Sequence, residues 1–510
     1  MEYLLGMDIG TTNQKAILTS LDGAIAATAS RRNVTFTDGN QAEQDAWLWW
    51  SNTLEILKEF EQKLGTGALK RVRGICISGQ TVSLLPVDAE GNPLRRAMIW
   101  MDSRSAPELE QILEKVGRQR YCAIAGGQPS PSFLPGKLLW YRNNEPALFK
   151  KTAKVLQANG FVTAKLTGKF TIDQDQAGKS QCLDVTKGIW SREIGDAIGV
   201  DLFRLLPIPQ SCECIAGFVT AEAAAQTGLT AGTPVCAGGS DAIAAICAMG
   251  LSELGQAGES VGTTSLVFAG ASEPSPTTGG VVSHPFRPDS IPYLFDAPIS
   301  ASGGAVEWFL KNLAGEQLLR ERDSGADVYE RMAAMAAQSP PGSRGLLFLP
   351  YLRGERAPLW NSYARGMYVG LTLETGQAEL IRALLEGCAF ALRHVLEEMT
   401  VAGGKVESLR LTGGGAKNTE WAKIKASVLG LPVMIMEERA GDVPMGDVFM
   451  AARTLNIPIA EENRPRAAQC YLPDPEQKKL YDELYQLYRR IYQNLEAEQK
   501  QLENISLRRF

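Results

Sequence analysis

Three observations place this chain in the α/β class, as two large domains built on one plan with a ligand cleft between them. At 510 residues it exceeds what one hydrophobic core usually serves. Short apolar runs ending in glycine turns alternate with amphipathic helical stretches along its length. Finally, the turn in Tyr3-Leu-Leu-Gly-Met-Asp-Ile-Gly-Thr-Thr-Asn-Gln-Lys-Ala-Ile-Leu18 recurs in Gly258-Glu-Ser-Val-Gly-Thr-Thr-Ser-Leu-Val-Phe268, about half the chain later. One copy per half points to a duplicated domain.

The first copy reads as a hairpin whose tight loop offers hydroxyls and free backbone N–H groups, with Asp8 at the strand end. Such a loop can hold phosphate oxygens, and such a carboxylate can hold hydrated Mg²⁺. An ordinary hairpin with a glycine turn has the same pattern, and the second copy argues against it. Ala24 to Arg31 adds a third strand. Asp45 then caps a helix from Ala46 to about Lys63, with Trp49, Leu54, Ile56, Leu57 and Phe60 as its buried stripe.

Val72 to Ser78 reads as a buried strand, and Gly79-Gln-Thr81 lies at its carboxyl end, where α/β sheets open their crevices. A strand at Ser83 to Val87 leads to Ile99-Trp-Met-Asp-Ser-Arg104, just before a helix near Pro107. An aromatic face beside charged hydrogen-bonding groups suits a polyhydroxylated ligand, and it equally suits a helix cap with a surface ion pair. Residues 127–136 read as a loop ahead of Lys137-Leu-Leu-Trp140, and Thr163 to Thr171 and Asp184 to Trp190 as turns and short strands. Ala177-Gly-Lys-Ser180 has the end of a phosphate-binding Walker loop, but Asp173 stands where that loop needs glycine.

Thr233 to Met249 predicts a strand running into Gly238-Gly239 and an Ala-rich helix opened by Asp241. Asp241 is there either as a helix cap or as a carboxylate at the mouth of a cleft. Ser272 to Asp289 reads as a linker or lid, Ala305 to about Leu313 and Val328 to Ala337 as helices, and Gly345 to Tyr351 as a core strand. Glu379 to Thr400 is a long amphipathic helix. A strand at Ser408 to Thr412 meets Gly413-Gly-Gly-Ala416 and a helix from about Thr419, which brings backbone N–H groups against a ligand. The stretch 474–505 is a charged helix with apolar and Tyr positions at 480, 484, 487, 488, 491, 492 and 495, a packing face or a homodimer contact.

Composition narrows the function classes. A net charge of −5 gives no footprint for nucleic acid or an anionic membrane. No apolar run spans a bilayer, and Glu2 and Asp8 interrupt any signal-peptide pattern, so a cytoplasmic protein is expected. Nine scattered cysteines without a Cys-x-x-Cys pair predict reduced thiols, and with only His284 and His394 a His-rich metal site is not expected.

Asp8-Ile-Gly-Thr-Thr12, Gly239-Ser-Asp241, Gly262-Thr-Thr264, Arg353-Gly-Glu-Arg-Ala-Pro358 and Gly413-Gly-Gly-Ala416 follow one another at large separations. Together they resemble the FGGY carbohydrate kinases of the actin-like, sugar-kinase and chaperone-type ATPase superfamily. Gly366 to Leu371 through Glu379 to Glu386 is similar to that family's second signature, and the resemblance covers roughly residues 3–455.

It implies two ribonuclease-H-like domains: residues 1–248 on the sugar side, and 249–510 on the nucleotide side with the helix 474–505 appended. It further implies ATP with Mg²⁺, a small sugar or polyol of pentulose type as acceptor, and Asp241 as general base. By the same resemblance Asp8 lies near the metal, and Thr11, Thr12, Gly262, Thr263 and Thr264 form the phosphate loops. Gly414 and Asn418 take the α-phosphate and adenosine, and Gln80, Thr81, Trp100, Asp102, Arg104 and Asp241 face the sugar.

Xylulokinase members typically read Gly-Gln-Met-His-Gly where this chain reads Gly79-Gln-Thr-Val-Ser83. Val82 lacks the imidazole that contacts sugar there, so D-xylulose is expected to be a secondary substrate. The rival readings are an actin-like or chaperone-like ATPase driving partner binding, a silent sugar sensor, and a kinase for gluconate, glycerol or a hexulose.

Overall fold

The computed structural model describes residues 1–275, 282–287, 290–315, 318, 320, 328–437 and 442–506. Two mixed sheets form its frame. In the first, β1 (Tyr3–Ile9), β2 (Asn13–Ser20) and β3 (Ile25–Arg32) form an antiparallel meander, and β4 (Val72–Gly79) lies parallel to β1. With β5 (Ile215–Phe218) and β6 (Pro234–Cys236) the order is β5-β6-β4-β1-β2-β3. β1 is buried on both faces, which its near-continuous apolar run requires of a central strand with a parallel neighbour.

The second sheet holds β7 (Gly255–Val261), β8 (Ser265–Ala271), β9 (Val282–Arg287), β10 (Ile291–Ile299), β11 (Gly404–Thr412), β12 (Val433–Met436) and β13 (Ala467–Tyr471). Their order, β13-β12-β11-β7-β8-β10-β9, repeats the first sheet strand for strand and adds β9 at one edge. The duplication expected from the two Gly-Thr-Thr loops is therefore a duplication of sheet topology. The loops sit at equivalent corners, β1–β2 and β7–β8.

Helices cover both sheets. α1 (Ala46–Leu64) starts where the Asp45 side chain accepts from the Trp47 N–H at 2.9 Å, a cap worth about 1 kcal/mol. Its Trp49, Ile56, Leu57 and Phe60 pack on the first sheet, while Leu54 is half-buried. Along the first half follow α2 (Ala106–Val116), α3 (Leu134–Asn144), α4 (Ala158–Thr167), α5 (Gln174–Lys179) and α6 (Asp241–Met249). The second half carries α7 (Gly303–Asn312), α8 (Val328–Ala336), α9 (Gln377–Val401), α10 (Thr419–Leu429), α11 (Val443–Thr454) and α12 (Pro475–Ser506).

Four local readings change. Residues 163–167 end the helix α4 instead of forming turns and strands. α4 is buried all round, so its sequence shows no 3.6-residue stripe, and it stops at Gly168 in the left-handed region. Leu134 to Gly136, read as loop, are the first turn of α3. Part of the expected lid, Val282–Arg287, is the edge strand β9, while residues 276–281 and 288–289 lie outside the described residues. On α12 the buried face is Tyr481, Leu484, Tyr485, Tyr488 and Tyr492, with Leu480, Leu487 and Leu495 exposed. The tyrosines carry that stripe because each finds a partner for its hydroxyl, Tyr488 with Tyr351 at 2.5 Å and Tyr481 with Glu386 at 2.8 Å.

One helix crosses between the halves. α11, late in the chain, packs on β1, β4 and α6, and its Met445 and Val448 share a core with Leu4, Ile17 and Ile243.

Candidate functional site

Asp241 is the first residue of α6. The cap belongs to its neighbour, since Ser240 Oγ accepts from the Ile243 N–H at 3.2 Å. Among the described residues Asp241 accepts only from the adjacent Ala242 N–H, at 2.8 Å. The strand-to-helix turn needs Gly238 at φ +70°, where a Cβ would lie 1.9 Å from the Ile77 carbonyl oxygen. Burial pushes the Asp241 carboxyl above the ordinary carboxylate range; the Lys179 ammonium pulls it down, and Asp175 and Asp296 push it up again.

Lys179 comes from the motif that fails as a Walker loop. α5 brings its Nζ within 3.2 Å of Asp175 and 3.0 Å of Ser240 Oγ, and β10 of the other half offers Asp296 at 3.2 Å. His284 on β9 completes the group, 2.8 Å from Asp175 and 3.3 Å from Asp296. Burial works against both cations, but these carboxylates raise the pKa of Lys179 and of His284. The result is a buried ionic network that joins the two halves directly behind Asp241.

Asp8 lies near enough to Asp241 for the two carboxylates to act on each other. Burial, then Asp241, push its carboxyl up to about 8, against Lys15 and the Ser78 hydroxyl. Ser78 Oγ donates to Asp447 of α11 at 2.8 Å and lies 3.4 Å from Asp8. Among the described residues no three His, Cys, Asp or Glu side chains group closely enough to form a metal cage. A crowded pair of carboxylates without a cage suits Mg²⁺, which keeps most of its waters and takes the rest of its ligands from phosphate.

On the first half, Thr11, Gln80 and Trp100 form one hydrogen-bonded chain. Trp100 Nε1 donates to Thr11 Oγ1 at 2.9 Å, Thr11 Oγ1 donates to Gln80 Oε1 at 3.3 Å, and Gln80 Nε2 donates to Gln44 at 2.8 Å. These bonds tie Thr11 of the first loop to Gln80 and Trp100, two of the residues expected to face the sugar. Trp100 is 45% exposed. Thr81 is half-buried beside them, and Thr12 is exposed at the loop tip.

Asp102 and Arg104 stand behind this face. Arg104 donates to both Asp102 oxygens, Asp102 also accepts from the Ala42 N–H at 2.8 Å, and the guanidinium lies 4.9 Å over Trp140. Breaking such a buried pair costs about 3–5 kcal/mol. The pair is buried, where the ion-pair reading expected one at the surface.

On the second half, Gly262, Thr263, Gly414 and Asn418 line one cavity of about 380 Å³ with Val261, Val306, Tyr329 and Trp421. Gly303 N–H donates to the Gly262 carbonyl at 3.0 Å and Gly304 N–H to the Thr263 carbonyl at 2.9 Å, so the start of α7 is clamped to the loop. Asn418 caps α10 by accepting from the Trp421 N–H at 2.9 Å. Thr264 lies exposed at the turn, its carbonyl taken by the Gly262 N–H. Two glycine turns and two helix starts around an apolar slot suit a nucleoside carrying phosphates.

Sequence reasoning missed Lys179, Asp175, Asp296, Asp447 and the pair Gly303-Gly304. Asp175 and Lys179 are four apart on one helix and His284 is one of two histidines, so a buried cluster had a signal, but its assembly across the halves had none.

Models of known families match both halves: the FGGY family of carbohydrate kinases, N-terminal domain, over residues 3–248, and the C-terminal domain over residues 259–455. The xylulose kinase of Escherichia coli (strain K12) is 30% identical over 502 residues, 96% of this chain and 99% of that protein. The xylulose kinase of Bacillus subtilis (strain 168) is 29% identical over 498 residues, 96% of this chain and 97% of that protein. The crystal structure of xylulose kinase from Rhodospirillum rubrum superposes with a TM-score of 0.88 at 27% identity, over 98% of this chain and all of that one, 100%.

Proposed function

The chain belongs to the FGGY family of carbohydrate kinases, and we propose that it transfers the γ-phosphoryl of ATP to a hydroxyl of a pentulose-type sugar or polyol, with Asp241 as general base. That it is an ATP-dependent sugar kinase rests on both family matches and its xylulose kinase relatives. The acceptor and the residue roles are our reading. Residues 1–248 would carry the acceptor side and 249–510 the nucleotide side, with ATP in the cavity at Gly262, Thr263, Gly414 and Asn418.

The observation that carries the reading is Asp241, which stands at the helix start close enough to Asp8 to raise its pKa and, among the described residues, accepts one hydrogen bond, from its neighbour. Phosphoryl transfer asks the protein mainly to position groups and neutralise charge. Trp100, Gln80 and Thr81 orient the acceptor. Asp241 accepts the hydroxyl proton as the new O–P bond forms. Asp8 would hold Mg²⁺, which when bound neutralises charge developing on the phosphates. The Val82 side chain offers no hydrogen bond where xylulokinases offer imidazole, so D-xylulose should rank below another ketose or polyol.

Asp241→Asn keeps the shape and the Ala242 contact but cannot accept a proton, and removing a general base commonly costs about 10²–10⁴-fold in rate. The measurement is ADP release with D-xylulose, other pentuloses, hexuloses, gluconate and glycerol, alongside nucleotide titration and melting. A variant that melts normally, binds ATP and keeps more than about a tenth of kcat would remove Asp241 from this role. ADP release that needs no added polyol would argue for the actin-like or chaperone-like ATPase.

A further inference from the structure

Lys137 is wholly buried in the first turn of α3, and among the described residues no carboxylate lies within ion-pair range of it. Its Nζ donates instead to two backbone carbonyls, Val82 at 3.0 Å and Ile99 at 2.7 Å. Those carbonyls belong to the two segments that carry the acceptor face: Val82 follows Gln80 and Thr81, and Ile99 precedes Trp100. A short bridge already runs between the segments, Leu84 N–H to the Met98 carbonyl at 2.8 Å and Met98 N–H to the Leu84 carbonyl at 3.1 Å. The ammonium sits where that bridge ends.

The second observation is Val82 itself. Its φ is +51°, in the left-handed region, and its side chain is buried. A β-branched residue adopts this backbone only when its surroundings impose it. The following peptide is also held, since the Ser83 N–H donates to Gln157 Oε1 at 2.8 Å. A buried cation held by carbonyls instead of a carboxylate in ion-pair range is costly, and it persists where the geometry it enforces is needed. Consistent with that cost, burial lowers the Lys137 pKa to about 7, with Asp102 opposing and Arg104 adding to the shift.

We infer that Lys137 is a positioning residue for the phosphoryl acceptor: one ammonium clasps the 80–82 and 99–100 segments and holds Val82 left-handed, so that Gln80, Thr81 and Trp100 meet the acceptor as one surface. The inference rests on the proposed placement of the acceptor beside these three residues.

The test is a cycle of K137M, V82G and the double variant, reading the KM for D-xylulose and for ATP. Glycine holds a left-handed backbone without help, so the clasp should matter only when residue 82 is valine. K137M should raise the sugar KM about tenfold or more and leave the ATP KM unchanged; in the V82G background the same change should cost less than about twofold. Equal effects in both backgrounds, or an unchanged sugar KM in K137M, overturn the inference. Should K137M fail to fold, the double variant decides. Folded, with a sugar KM near that of V82G, it supports the clasp; unfolded as well, it makes Lys137 a core residue and nothing more. Q80A separates the two readings. If it leaves the sugar KM unchanged, the placement of the acceptor has failed, whereas a raised KM in Q80A with none in K137M sinks the clasp alone.

Discussion

Gly10-Thr-Thr12 and Gly262-Thr-Thr264 each join the first two strands of a sheet, and a parallel neighbour ends beside each, at Gly79 and at Thr412 before Gly413. Asp8 pairs with Ser78 in one register, Ser260 with Thr412 in the other. With the same topology, the two corners differ in what fills them. The first is closed by side chains, with Asp8 at the strand end and Thr11 bonded to Gln80 and Trp100. The second pairs glycine turns with apolar side chains such as Val261, Val306 and Trp421 and leaves a cavity of about 380 Å³. In the function we propose, a duplicated crevice becomes a reacting end and a holding end through a few substitutions, chiefly carboxylate against hydroxyl at positions 8 and 260.

The largest expected effect breaks this comparison at those two positions. Asp8→Asn should lower kcat at least about a hundredfold and change its Mg²⁺ dependence, while Ser260→Ala should retain most of the activity. Equal losses would mean that the corners do not divide the work.

Next in size is the clamp on the second corner. A Cβ at Gly303 would lie 2.4 Å from the Gly262 carbonyl oxygen, so Gly303→Ala must displace the loop. We expect the ATP KM to rise about 10–100-fold with the sugar KM unchanged, measured by varying each substrate in turn. A matching rise in the sugar KM would show the corners to be mechanically one.

A subtler effect concerns pH. A base works only when ionised, and Lys179 opposes the burial that raises Asp241. Lys179→Met should therefore move the acid limb of the kcat profile to higher pH, and Lys179→Arg should move it less. Superimposable profiles would show that Lys179 does not act on Asp241.

The smallest effect is on stability. Asp8 is raised from 3.8 to about 8 in the folded chain, so folding favours its neutral form. That contribution is full below the unfolded value and is lost as pH rises through about 8. In EDTA, the melting temperature of Asp8→Asn should fall less between about pH 4 and pH 9 than that of the unmodified chain. Parallel curves would mean that Asp8 is ionised throughout.

The frame and both corners were legible because they rest on local signals. Asp45 announces α1, apolar runs announce β1 and β4, and the repeated Gly-Thr-Thr announces the duplication. Gly414 and Asn418 could be placed together because they lie on one strand-to-helix turn. What escaped was assembled at a distance. α4 has no polar face to reveal its period, the stripe on α12 is set by tyrosine hydroxyls finding partners, and Lys179 meets Asp296 across more than a hundred residues of chain. Asp102 and Arg104 were found, but only packing shows that they bond chiefly to each other.

The position of α11 has a consequence for synthesis on the ribosome. Its Gly446 touches α6 so closely that a Cβ would lie 1.7 Å from the Ala244 carbonyl oxygen, and its apolar face covers Leu4, Ile17 and Ile243. Every strand of the first sheet is made long before that cover exists. At about 5–20 residues per second, the interval between Met249 and Thr454 lasts on the order of 10–40 s. For that time the nascent first half carries a bare apolar face, a surface for chaperones to shield and for neighbouring chains to stick to. A truncation ending near Met249 would make this transient exposure permanent.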